Sequence, residues 1–212
     1  MAVTNGYITE AELIARLDEN TEVTETAGEK TTMDNIINAV SRMIDRYCGR
    51  RFFLTTETKI FTPVCASRLF IPDLMSLTSL KTDEDMDYTY ENTWTTSDYS
   101  LIPYNAQSYS TELTPYNCIE VKYNSNYYFP TSKKSTQIIG SWGYCIATTG
   151  ATEATCPHDV KEACYLQCIK QYTRRKTPNV VLGASAFGTI EIPEALDPDV
   201  KFLLSPFVKR TL

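Results

Sequence analysis

Carboxylates are concentrated in one short stretch of this chain of 212 residues. Between residues 83 and 91 they stand at positions 83, 84, 85, 87 and 91, and carboxylates that converge can bind one calcium ion. The calcium loop of an EF-hand requires glycine at its sixth position and glutamate at its twelfth, where this chain has Tyr88 and Trp94. We therefore interpret the stretch as a solvated hairpin turn, in which the weak metal candidates are Asp83, Asp85 and Asp87.

His158 is the only histidine, so a catalytic triad or a histidine metal site would have to include it. It lies beside Cys156 and Asp159 at the predicted start of a helix, where adjacent side chains diverge and form a poor nucleophile and base pair. The sequence contains neither the G-x-x-x-x-G-K-[ST] phosphate loop nor the G-x-S-x-G nucleophile turn. We assign no catalytic residue and no cofactor, and we expect a protein that is not an enzyme.

The seven cysteines form an odd set without a C-x-x-C pair, which favours free, reduced thiols over a zinc site or a disulfide framework. Cys164 and Cys168 share a helix face, and we interpret them as small buried apolar side chains.

Basic residues end the helix predicted before Pro178, where cations complement the partial negative charge of the last carbonyls. They could also pair with an acidic surface of a neighbouring subunit, or face DNA in a channel. The net charge of −6 argues against tight binding of nucleic acid, although an acidic protein can let DNA pass. The basic residues are Lys170, Arg174, Arg175 and Lys176.

Helices are predicted at both ends of the chain. Thr9 and Glu12 form a capping box for a first helix that runs to about Asp18, and residues 19–31 are expected to be a loop. A long helix follows, with apolar residues at a spacing of three and four, and Gly49 supplies its left-handed stop. The apolar residues are Met33, Ile36, Ile37, Val40, Met43, Ile44 and Tyr47.

After a linker at about 147–155, Pro157 begins another helix, which extends to about Lys176. The stretch Asn179–Ile190 is expected to be a mobile loop, and Asp197 caps a last short helix.

Between the helical ends, residues 52–144 alternate short stretches rich in Thr, Tyr, Ile and Val with turn residues, which is typical of strands. We expect an antiparallel sandwich or a small barrel. The predicted strands are Glu57–Phe61, Arg68–Ile71, Ser76–Thr82, Tyr99–Ile102, Cys118–Tyr123 and Thr136–Trp142.

The fold class is therefore α+β, a small α-helical core of about four helices that carries a large inserted antiparallel β unit. The predicted boundaries assign residues 1–51 and 148–212 to the core and residues 52–147 to the insertion. No secretory signal and no apolar stretch of membrane-spanning length is evident, so we expect a chain that is soluble in the cytoplasm when made.

Several ordered fragments together resemble the head-tail connector, or adaptor, family of tailed bacteriophages and prophages. The likeness extends from about Ile8 to Lys209, and each fragment alone is moderately specific to the family. The fragments are IDRYCGRRFF, LFIPDLMSLTSLKTDED, SDYSLIPYNA, IIGSWGY and QYTRRKTPNVVLGASAFGTIEIPEALDPDVKFLLSPFVK.

The resemblance implies a structural virion protein at the neck, between the portal protein and a tail or stopper protein, made in the host cytoplasm before assembly. It implies a closed ring of about twelve copies through heterologous contacts, with genomic DNA passing through and bound without sequence specificity. The loop Pro178–Ile190 would lie at a subunit contact or line the channel, and Pro198–Leu212 would reach a partner. The implied contact residues are Arg174, Arg175, Phe187, Phe202, Phe207 and Lys209.

An alternative of a different class is a β-rich module that binds carbohydrate. Trp94, Trp142 and exposed tyrosines such as Tyr127 and Tyr128 would then stack on sugar rings. The flanking helices have no evident purpose under this alternative.

Overall fold

The computed structural model describes residues 3–18, 26–106, 114–147, 154–176 and 196–209. The chain divides into two compact units, which we call the helical unit (residues 1–50 and 157–212) and the β unit (residues 51–156). The described residues form four α-helices and a six-stranded antiparallel sheet, so the predicted α+β class is confirmed. None of the helices in these ranges is long and apolar enough to span a membrane.

The helical unit begins with α1 (Glu10–Asp18) and α2 (Ala27–Cys48). The predicted capping box is confirmed, because Glu12 N donates to Thr9 Oγ1 at 3.2 Å while the Glu12 carboxylate accepts from Thr9 N at 2.7 Å. Gly49 ends α2 in the left-handed conformation, with φ of 64°. The expected loop at 19–31 is wrong from residue 27 onward, because Thr26 caps α2 and the helix begins at Ala27, so that the last five residues of the predicted loop are helical. Residues 19–25 lie outside the described part.

The later helices are α3 (His158–Lys176) and α4 (Pro198–Leu204), followed by a short 3₁₀ turn at Ser205–Phe207. Asp197 caps α4 through Asp199 N, as predicted. The Arg16 guanidinium binds the Glu162 carboxylate with two hydrogen bonds of 2.7 and 2.5 Å and joins α1 to α3. The core of this unit contains fully buried residues from every helix, among them Leu13, Ile37, Ile44, Val160, Cys164 and Leu204.

The described strands of the β unit are β1 (Thr55–Phe61), β2 (Arg68–Thr82), β3 (Asn92–Thr93), β4 (Tyr99–Ile102), β5 (Tyr116–Val121), β6 (Thr136–Trp142), β7 (Ile146–Ala147) and β8 (Ala154–Thr155). Strands β1 to β6 form one sheet in the order β1-β6-β2-β5-β4, with β3 paired to β2, and β7 and β8 form a separate ribbon. The expected sandwich or barrel is therefore wrong for β1 to β6, because they form a single sheet with β1 and β4 at its ends.

Two predicted strands are one strand in the structure. Strand β2 runs without interruption across Pro72, which lies between the predicted strands Arg68–Ile71 and Ser76–Thr82. Pairing with β5 is interrupted between Phe70 and Leu74, and pairing with β6 begins at Leu74, so the proline falls where no ladder hydrogen bond is needed. Strand β5 also lies two residues earlier than predicted.

The apolar core of the β unit lies on one face of the sheet and includes both tryptophans. Trp94 stacks on Phe129 with ring centroids 4.8 Å apart, and its indole N–H donates to Thr82 Oγ1 at 2.9 Å. The Trp142 N–H donates to Glu57 O at 2.9 Å. Satisfied N–H groups allow both rings to be buried without an unpaired donor.

A disulfide joins Cys145 to Cys156, so the prediction of free thiols is wrong for these two residues. Ile146 pairs with Thr155 across the β7–β8 ribbon, and this register brings the flanking cysteines face to face with 4.5 Å between their Cα atoms. The ribbon also revises the predicted linker at 147–155, of which residues 148–153 lie outside the described part.

Candidate functional site

The acidic stretch forms a tight projection that we call the acidic tip, residues 83–91, after strand β2. Asp83 is buried, and its two carboxylate oxygens accept from Met86 N at 2.8 Å and Tyr88 N at 2.9 Å. Asp85 accepts from Asp87 N and Asp87 from Thr89 N, so each of the three candidate metal ligands has one or both oxygens engaged by backbone. Ligand oxygens of four carboxylates, the fourth from Glu91, nevertheless lie within 4.8 Å of one another.

Two large side chains project from the acidic tip. Met86 and Tyr88 are 66% and 63% exposed, and both have the left-handed backbone conformation, with φ of 69° and 67°. The Asp83 carboxylate stabilises this uncommon conformation by binding the amide of each residue. Tyr90 is nearby, and burial together with the Asp83 charge raises the pKa of its hydroxyl group.

The basic end of α3, residues 170–176, presents its arginines to solvent. Arg174 and Arg175 are exposed, and the Arg175 guanidinium lies 5.9 Å from the centre of the Tyr172 ring. Lys170 points elsewhere, because its ammonium group donates to Asp197 Oδ2 at 2.9 Å. The two arginines are therefore placed where a partner can reach them.

Helix α4 has one apolar face in the core and one in solvent. Val200 and Leu204 are buried, whereas Phe202 is 80% exposed. The helix is held against α3 by the Lys170 bond to Asp197, and this hydrogen bond also lowers the pKa of the Asp197 carboxyl. Phe202 is thus a large apolar side chain on a fixed support.

The remaining predicted contact residues differ in their surroundings. Phe207 is only 7% exposed, so its ring packs in the helical unit and offers little surface to a partner. Lys209 is exposed at the end of the described chain, where its backbone N–H donates to Cys48 O at 2.8 Å. Phe187 and the loop Pro178–Ile190 lie outside the described residues.

The lone histidine and its neighbouring cysteine do not form a nucleophile and base pair. Cys156 is bonded to Cys145, so its sulfur is not available as a thiolate, and His158 is exposed in the first turn of α3. The sulfurs of Cys164 and Cys168 are 4.0 Å apart and buried, and the hydrogen bond from Cys164 together with burial raises the pKa of Cys168. The Cys168 thiol therefore stays protonated and unreactive at neutral pH.

The aromatic residues assigned to carbohydrate stacking are mostly in the core. Trp94 and Trp142 are 4% and 3% exposed, so this part of the alternative is wrong. Tyr127 packs on Trp94 at 5.6 Å between ring centroids, and only Tyr128 of the named aromatics is largely exposed.

Sequence reasoning did not single out two other exposed aromatic residues of the β unit. Phe70 and Tyr104 are both largely exposed, and Tyr104 donates to Glu120 at 2.5 Å, which also binds Arg68. The start of β2 carried a signal for Phe70, because successive side chains of a strand point to opposite faces of the sheet. Phe70 shares its face with the exposed Arg68, and the residues on the other face, Leu69 and Ile71, are buried.

Comparisons with known proteins identify structural neighbours. No protein-family model and no curated protein matches the sequence. The fold is similar to a chain from the neck of an empty gene transfer agent (GTA) particle computed with C6 symmetry. The identity is 15% and the TM-score 0.58, and the match covers 100% of this chain and 95% of that one. It is also similar to a chain from the neck of a native GTA particle computed with C12 symmetry, at 14% identity and a TM-score of 0.53, covering 100% and 94%.

A third similar chain comes from the virion of a native gene transfer agent particle, at 15% identity and a TM-score of 0.52, covering 100% of this chain and 95% of that one. At such identities the likeness establishes a shared fold over the whole chain.

Proposed function

We propose that this chain is a structural virion protein of the neck, an adaptor that forms a ring below the portal and lets DNA pass. The observation that carries the proposal is the likeness to neck chains, because it spans the whole of this chain and nearly the whole of each neighbour. The match thus covers both the helical unit and the β unit, and it is not confined to a common fragment.

Ring formation is supported by the symmetries computed for the two neighbouring neck particles, C6 and C12. Closed cyclic rings require a heterologous contact, in which two different patches of each copy meet. We propose about twelve copies, since sixfold symmetry is also obeyed by a twelvefold ring.

Partner contacts are proposed for the exposed residues of the helical unit. Phe202, Arg174 and Arg175 present one apolar and two cationic side chains to solvent, and aromatic and arginine side chains are enriched in the centres of interfaces. The proposed partners are a neighbouring copy, the portal protein and a tail or stopper protein. Lys209, the last described residue, is proposed as a further contact residue. Phe207 is buried and contributes by supporting α4.

Passage of DNA is consistent with the charge of the chain. A net charge of −6 gives a ring of copies a repulsive field toward phosphates, so DNA would move through it without sticking. No sequence-specific contact with bases is proposed.

Negative-stain electron microscopy of the purified chain, alone and mixed with its portal ring, tests the proposal. Class averages should show rings, either free or capping the portal. Single particles of the size of one chain in both samples would contradict the proposed function.

A further inference from the structure

Two stretches of this chain carry concentrated charges of opposite sign. The acidic tip contains five carboxylates and no cation, and the basic end of α3 contains four cations and no carboxylate. One stretch belongs to the β unit and the other to the helical unit.

The carboxylates of the acidic tip and the two arginines of the basic end are not neutralised by ion pairs within the described part of the chain. None of the five carboxylates of the acidic tip, and neither Arg174 nor Arg175, takes part in an ion pair between described residues. Other charged residues do pair, as Arg16 does with Glu162 and Lys170 with Asp197.

The acidic tip also has an apolar centre, which a merely solvated turn does not need. Met86 and Tyr88 project from it, and the turn is held in shape by Asp83 and by Tyr90, whose hydroxyl donates to Lys134 O at 2.9 Å. A fixed turn loses little conformational entropy on binding. Two large apolar groups ringed by carboxylates match a surface of arginine side chains, whose aliphatic stems are apolar and whose ends are cationic.

We propose that the acidic tip of one copy docks on the basic end of α3 in the next copy. This inference rests on the proposed function, and it names the contact that joins neighbouring subunits. The two patches differ, so each copy offers one of each and the contact repeats from copy to copy, as closure into a ring requires. The occupant is a second copy and not nucleic acid, because the carboxylates of the tip repel phosphates.

The contact is electrostatic in character and should respond to salt. Exposed ion pairs are individually weak, so several must act together with the Met86 and Tyr88 contacts. Reversing two charges on one side replaces attraction by repulsion, and we expect the concentration needed for half-assembly to rise about tenfold or more.

The test uses two charge-reversed variants of the full chain. The tip variant is Glu84→Lys with Glu91→Lys, because these two carboxylates accept no hydrogen bond from the described backbone and the Asp83 contacts stay intact. The helix variant is Arg174→Glu with Arg175→Glu. Arg46→Glu is the matched control, since Arg46 is another exposed arginine of the helical unit.

Sedimentation velocity is measured for the wild type, for each variant and for an equimolar mixture of the two variants. At the concentration at which the wild type assembles, each variant alone should remain mostly unassembled. The mixture should assemble through alternating copies, because a reversed tip then meets a reversed helix end. The control should assemble as the wild type does. Recovery in the mixture also shows that both variants are folded.

Two results would overturn the inference. The first is assembly of either variant alone at wild-type concentration, which leaves the proposed ring intact but places its contact elsewhere. The second is a mixture that fails while the wild type assembles. If the wild type is monomeric in solution, the same samples are assembled on the portal ring and counted by electron microscopy. If the wild type also does not assemble on the portal ring, the proposed function itself is contradicted.

Discussion

The disulfide between Cys145 and Cys156 should stabilise the β unit by a calculable amount. The two residues are separated by 11 positions, and closing such a loop removes conformational entropy from the unfolded chain. The loop-closure relation gives about 2.8 kcal/mol at 25 °C for about 11 residues. Replacing both cysteines by serine should therefore lower the free energy of unfolding by about 3 kcal/mol.

Urea unfolding monitored by tryptophan fluorescence measures this loss, because Trp94 and Trp142 both lie in the core of the β unit. With an m-value of about 1.5 kcal/mol/M, the midpoint should fall by about 2 M. Cys65→Ser is the control, since Cys65 is exposed and unbonded, and its midpoint should not change. An unchanged midpoint in the double variant, compared under oxidising conditions, would refute the loop-closure reasoning.

Three further predictions concern one residue each. Ile138→Ala removes a fully buried side chain from the β core and should cost about 3 kcal/mol by the same fluorescence assay. Asp197→Asn keeps the helix cap but removes the charge that Lys170 stabilises. The lowered pKa of Asp197 means that wild-type stability falls as pH drops through values below about 4, and circular dichroism melts of the variant should show a smaller fall. Phe202→Ser should change stability by less than about 0.5 kcal/mol, because the ring is exposed, yet reduce ring formation seen by electron microscopy.

The helical elements could be predicted closely because their ends have local chemical signals. Thr9 with Glu12, Gly49, and Asp197 before a proline each determine a helix end through one or two nearby hydrogen bonds. The start of α2 also had such a signal, since Thr26 and Glu29 have capping-box spacing, but the polar residues around them suggested a loop.

The sheet was predictable only in part because its pairing depends on residues distant in sequence. Strands β4 and β6 matched their predicted bounds, whereas the continuity of β2 depends on its change of partner from β5 to β6 around Leu74. The Cys145 to Cys156 bond likewise follows from the register of the β7–β8 ribbon. Neither the change of partner nor the register leaves a mark within a short window of sequence.

The sequence identified candidate contact residues by their residue type, but it could not show which of them are buried. Phe202 and Phe207 are five residues apart and both apolar, but the turn after α4 directs one ring outward and the other into the core. The same ambiguity applies to Trp94 and Trp142, whose burial removed the support for carbohydrate binding. Which aromatic side chains face solvent is decided by tertiary packing.

The mass of the assembled protein tests the central claim most directly. Native mass spectrometry of the full chain, alone and on its portal ring, should find about twelve copies of the 24.0 kDa chain in one closed complex. A chain that remains monomeric, or that stops at a two-fold dimer, at high concentration and with the portal ring present would contradict the account.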